Sequence, residues 1–150
     1  MRRAILFVHI ACSVALLGDV ACFLAVSVRA ATTDDPALAA ASYELLEMFS
    51  LVFGIPLSFG ALLSGLALTT VTKWGVRKHR WVLAKLVVIV SVIFVGALVL
   101  GPSTVAARDG DEAARLALIL GSGYDVLALS LATGLSVYKP RLRSRRKVLA

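Results

Sequence analysis

Four apolar stretches, at about 4–28, 45–70, 81–100 and 113–138, alternate with short charged connections, and this pattern leaves few folds open. A hydrocarbon layer ~30 Å thick is crossed by about 20 helical residues, so each stretch is long enough to span it. Inside that layer every backbone N–H and C=O must be satisfied within its own segment, which selects helices. The expectation is an all-α, four-helix transmembrane bundle. At 150 residues and 59% hydrophobic content, the chain is too apolar for a soluble domain and too short for two domains. It reads as one membrane domain over 1–150, with residues 139–150 as a basic tail. Arg2, Arg3 and the Val28-Arg29-Ala30 sequence are features of a cleaved leader, but the first apolar run is longer than a leader core, so it is read as a span.

The charges orient the bundle. Lys and Arg are retained in short cytoplasmic loops, so their distribution reports how each span was threaded. Twelve of the sixteen basic residues fall at the amino end (Arg2, Arg3), in the loop with Lys73, Arg77, Lys78 and Arg80, and in the tail beyond Tyr138. Only Arg29, Arg108 and Arg115 fall on the other side, with Asp34, Asp35, Glu44, Asp109, Asp111 and Glu112. Both termini are therefore expected in the cytoplasm, in a bacterial inner membrane, with Trp81 and Tyr138 marking the inner interface. The net charge of +7 sits at span ends, which points to anionic lipid headgroups rather than nucleic acid. Cys12 and Cys22 are ten residues apart on one helix, about 15 Å, which excludes a disulfide between them.

Helices associate in lipid through close backbone approach and polar contacts, because lipid is as apolar as leucine. Small residues mark such faces: Ser50, Gly54 and Ser58, then Gly60 and Ser64, in the second span, and Ala117, Gly121, Asp125, Ala128 and Ala132 in the fourth. A kink is expected at Pro56, which leaves the Val52 carbonyl without its usual donor. Pro102 and Gly110 are expected to interrupt the third connection.

The residues within the spans that could carry chemistry are His9, Asp19, Lys85 and Asp125. A charge at the bilayer centre costs at least ~2.5 kcal/mol, so each needs a reason. His9, Cys12, Leu16, Asp19 and Phe23 share one helical face. That face either packs on neighbouring helices, with His9 donating to a carbonyl and Asp19 accepting from a hydroxyl or pairing with Arg115, or walls a polar cavity opposite Gly121 and Asp125. Lys85 either snorkels to the headgroups or reaches Asp125. Phosphate-binding glycine loops, zinc-binding histidine pairs and nucleophile elbows are absent from the sequence, so no catalytic residue is assigned. His9 and Cys12 supply two soft metal ligands, which do not make a site.

Three segments, HIACSVALLG (9–18), TKWGVRKHRWVLAKL (72–86) and LSVYKPR (135–141), resemble a bacterial family of small integral membrane proteins, domain of unknown function 2269. The resemblance implies a four-helix membrane protein without an assigned reaction. A fainter similarity reaches the copper-resistance D proteins and the haem-binding membrane protoporphyrinogen oxidases. It implies His9 as an axial haem or metal ligand and Lys85 as a propionate or substrate contact. The chain departs from that pattern where it reads VLGPS (99–103), with no histidine after Lys85. Three functions follow as expectations. The first is a non-enzymatic bundle or accessory subunit without a cofactor, packed on a partner or a second copy. The second is a small proton-coupled transporter using Asp19 and Asp125. The third is a haem or metal binder using His9.

Overall fold

The computed structural model describes residues 2–71 and 80–138. Lys73, Arg77, Lys78, His79 and the tail 139–150 lie outside the described residues, as do the side chains of Arg80, Trp81 and Tyr138. The described chain is helical, in the order α1 (Arg2–Thr32), α2 (Pro36–Phe49), π1 (Ser50–Gly54), α3 (Ile55–Val71), α4 (Arg80–Val95), π2 (Gly96–Leu100), α5 (Gly101–Arg108) and α6 (Glu112–Tyr138). The π turns join their neighbours end to end, so the chain forms four rods, each long and apolar enough to cross a membrane.

Hydroxyls that would be costly in lipid are absorbed by the helices that carry them. Ser13 donates to the His9 carbonyl (2.7 Å) and Ser27 to the Phe23 carbonyl (2.8 Å), one turn back. The two hairpin turns share a device. Asp35 Oδ1 accepts from the amides of Ala37 (2.9 Å) and Leu38 (3.4 Å), with Pro36 opening α2. Asp111 Oδ1 does the same for Ala113 (2.8 Å) and Ala114 (3.3 Å) of α6. Gly110 turns the chain there with a φ of 98°, which only glycine adopts without strain.

Rods two and three extend beyond the apolar stretches that announce them. The second begins at Pro36 because the Asp35 cap outweighs the polarity of Glu44, and the third runs on to Arg108. Pro102 does not interrupt the third connection: it stands in the first turn of α5, inside the rod, and only residues 109–111 separate α5 from α6. Both interior prolines follow a π turn by two residues. Ile55 N–H bonds the Ser50 carbonyl and Gly101 N–H the Gly96 carbonyl, each five residues back. A proline has no N–H and crowds the carbonyl four residues before it. Opening one turn to the wider register accommodates Pro56 and Pro102 without ending the rod.

Rod one packs on α2, α3 and α6, and α6 packs in turn on α4 and α5. Rods two and three meet near both ends, α2 against α5 and α3 against α4. Two apolar layers result. One, at the hairpin end, gathers Phe23, Ala30, Tyr43, Leu46, Leu100, Ala107, Ala114 and Leu118, and the other joins Leu16 and Val20 to Val92, Ala128 and Leu129. Phe7, Val14, Leu63, Phe94, Leu98 and Leu131 are exposed around the outside, as lipid-facing side chains are.

Candidate functional site: an intramembrane cleft

Between the two π turns lies a cavity of about 470 Å³. That is within the range of small-molecule sites, roughly 300–1,000 Å³. Its floor is α1, through Leu16, Asp19, Val20 and Phe23, and α6, through Ser122 and Asp125. Ser50, Leu51, Gly54 and Ile55 form one wall, and Gly96, Ala97, Leu100 and Gly101 the other. The mouth is lateral. Leu51 is 61% exposed and Ile55 50% on one lip, and Val105 is 61% exposed on the other, so the cleft opens toward the position of lipid chains.

Asp125 is the most buried ionisable group in the cleft. It falls at the middle of α6, is 1% exposed, and its Oδ1 is buried without a hydrogen-bond partner. Asp19 Oδ1 is likewise buried and unpartnered. Asp19 lies close to the middle of α1, nearer the bilayer centre than a span ending at residue 28 implies. Its carboxylate sits against π1, where a Cβ built on Gly54 would lie 3.4 Å from Oδ2. The expected Asp19–Arg115 pair is not formed. Among the described residues the ion pair is Arg108–Glu44 at 3.2 Å, and Arg115 Nε is buried without a partner. Glu47, one turn before π1, adds a third carboxylate to the lining. Glu47 carries a signal of its own in the sequence, an acid inside an apolar run. Pro56 and Pro102, expected as a kink and an interruption, belong to Gly-Ile-Pro and Gly-Pro sequences at 54–56 and 101–102 that stand at the ends of the π turns.

His9 and Lys85 belong to a different region, toward the terminal end of the bundle. His9 Nδ1 lies 3.1 Å from the Ala61 carbonyl and 3.1 Å from Ser64 Oγ. A carbonyl only accepts, so Nδ1 carries the proton. Cβ atoms built on Gly60 and Gly65 would meet Cys12 Sγ at 2.9 Å and His9 Cε1 at 3.1 Å, so α1 and α3 approach as closely as two glycines allow. Lys85 donates to Ser136 Oγ, about 16 Å along α6 from Asp125. Of the packing residues, Ser58 lines the cleft, Ser64 meets His9, and Gly121 packs against Leu100, Val95 and Val99.

The described residues do not assemble a ligand set for a haem or a metal ion. His9 offers one ring nitrogen from a face wedged between α1 and α3, and no three His, Cys, Asp or Glu side chains converge among the described residues.

Fold and cleft together define a small polytopic membrane protein with carboxylates at membrane depth. The chain belongs to the family described as "Predicted integral membrane protein (DUF2269)", whose model matches residues 3–138. No curated protein and no solved structure matches it.

Proposed function

We propose that this protein is a small non-enzymatic carrier of the bacterial cytoplasmic membrane. A small amphipathic molecule enters the cleft from the lipid, and Asp125, with Asp19, holds either that molecule or a proton. The observation that carries this reading is Asp125, 1% exposed, unpartnered at Oδ1 and facing a 470 Å³ cavity. An unsatisfied carboxyl in hydrocarbon is a net cost to the fold and is retained where it serves a ligand or a proton. The other titratable groups on the lining are Asp19 and Glu47, both carboxylates. When a cation takes the place of a proton on one of them, the proton leaves to water and the two fluxes are coupled.

In this reading both termini are cytoplasmic and the turn at 109–111 faces outward, supported by the distribution of basic residues. A cysteine placed at Asp109 reacts with a membrane-impermeant maleimide in intact cells, and reaction only after lysis overturns the orientation. Transport is tested in proteoliposomes loaded with a pH-sensitive dye and offered amphipathic amines, acids and alcohols in turn. Substrate-dependent proton movement that is lost in Asp125→Asn supports the carrier. Movement unchanged in that variant, or none with any compound, contradicts it.

The lateral mouth favours one second reading, an accessory subunit whose partner lays a helix or a second copy of this chain across the exposed lips at Leu51 and Val105. Co-purification of a stoichiometric partner after mild solubilisation, together with loss of the proton flux, would replace the carrier with that reading.

A further inference from the structure

We propose that the cleft selects a protonated amine, an amphipathic ammonium that still carries N–H bonds, over anions and over quaternary cations. The proposal rests on the reading of the cleft as a ligand site and adds the chemistry of its occupant.

The first ground is charge. Three carboxylates, Asp19, Glu47 and Asp125, line the cavity, and no Lys, Arg or His does so among the described residues. A buried carboxyl is costly to ionise alone and far less so beside a cation, whereas nothing on the lining offsets the charge of an anion, so a cation is favoured and an anion disfavoured.

The second ground is the direction of the hydrogen bonds. Ser58 donates to the Ile55 carbonyl (2.9 Å), Thr104 to the Leu100 carbonyl (2.8 Å) and Ser122 to the Leu118 carbonyl (2.6 Å). Each of these hydroxyl protons is turned back into its own helix, which leaves lone pairs for the cavity. The π turns add to this excess of acceptors. Ile55 N–H, four residues beyond Leu51, is committed to Ser50, and the position five residues beyond is Pro56, which has no N–H. Ala97 stands in the same relation to Gly101, committed to Gly96, and to Pro102. The Leu51 and Ala97 carbonyls therefore lack both donors that a helix would supply, and both residues line the cleft on opposite walls.

The cavity is thus an acceptor-rich site in apolar surroundings, with Oδ1 of Asp19 and of Asp125 unpartnered. A primary or secondary ammonium supplies charge and several donors at one point, whereas a quaternary nitrogen supplies charge alone. At about 470 Å³, with most of the lining aliphatic or aromatic, the space exceeds a bare inorganic ion and takes an apolar group attached to the amine.

The test is titration calorimetry on the full chain in phosphatidylcholine nanodiscs at pH 7, corrected with empty nanodiscs. The probes are 2-phenylethylamine, its N,N,N-trimethyl analogue, 3-phenylpropionate and 2-phenylethanol. The expected result is that the primary amine binds at least tenfold more tightly than the other three, and that Asp125→Asn removes at least tenfold of that affinity. Asp19→Asn is read in the same way if Asp125→Asn fails to fold by circular dichroism. A quaternary analogue within threefold of the amine overturns the donor argument. Carboxylate or alcohol binding as tight as that of the amine overturns the proposal while leaving the cleft a ligand site. No binding by any of the four overturns both.

Discussion

Helix α1 meets rod two in two different ways along its length. Toward the terminal end, His9 and Cys12 press against Gly65 and Gly60, and the histidine's polar atom finds the Ala61 carbonyl and Ser64. At the middle, Asp19 faces Gly54 of π1, but its Oδ1 finds nothing, and neither does that of Asp125 across the same cleft. One contact is closed and satisfied, while the other is open and left with acceptors. The difference separates residues that hold the bundle together from residues that the bundle holds at some cost, and substitutions in the two regions should have opposite signs.

The largest effect is expected where the packing is tightest. Gly60→Val drives a branched side chain into Cys12 and should destabilise the fold by about 3 kcal/mol, measured by equilibrium denaturation in micelles. A loss below about 1 kcal/mol would show that rods one and two are not held by close approach. In the cleft, Asp125→Asn should leave the ligand-free protein as stable as the wild type or about 1 kcal/mol more so, while costing at least tenfold in amine affinity. Destabilisation by that substitution would mean that the carboxylate is structural. His9→Ala removes the bond to Ala61 and should cost about 1 kcal/mol without altering amine binding, checked by the same denaturation and by calorimetry. The smallest effect is expected at the Arg108–Glu44 pair, whose side chains are 48% and 66% exposed. Glu44→Gln should change stability by less than about 0.5 kcal/mol, and a larger change would show that the hairpin end depends on that pair.

Much of the fold is legible in the residues, because few sequences carry four runs of this length and polarity. The hairpin turns are legible too, through Asp35-Pro36 and Gly110-Asp111. Rod length is not, since Glu44 and Arg108 read as loop charges until the structure pairs them across the hairpin end. Pro56 reads as a kink and Pro102 as a break for the same reason. A proline announces the loss of a donor, but the π turn that accommodates it depends on how the surrounding helix redistributes its bonds. His9, Asp19, Lys85 and Asp125 stand out as ionisable residues in apolar runs. Periodicity assigns each to a face of its own helix and not to a neighbour. Position along the spans already divides His9 and Lys85, near the terminal end, from the two aspartates, but neither it nor periodicity adds Glu47 to the cleft or Gly65 to the histidine contact.

The contrast between the two regions reduces to one measurement, the melting temperature of the wild type and of Asp125→Asn with and without 2-phenylethylamine. A ligand that binds only the folded state adds about 2.7 kcal/mol at a hundred times its Kd. The amine should raise the Tm of the wild type, and the variant should melt at or above the ligand-free wild type while responding little to the amine. A wild type that ignores the amine, or a variant that responds as strongly, would contradict the assignment of Asp125 to a bound cation.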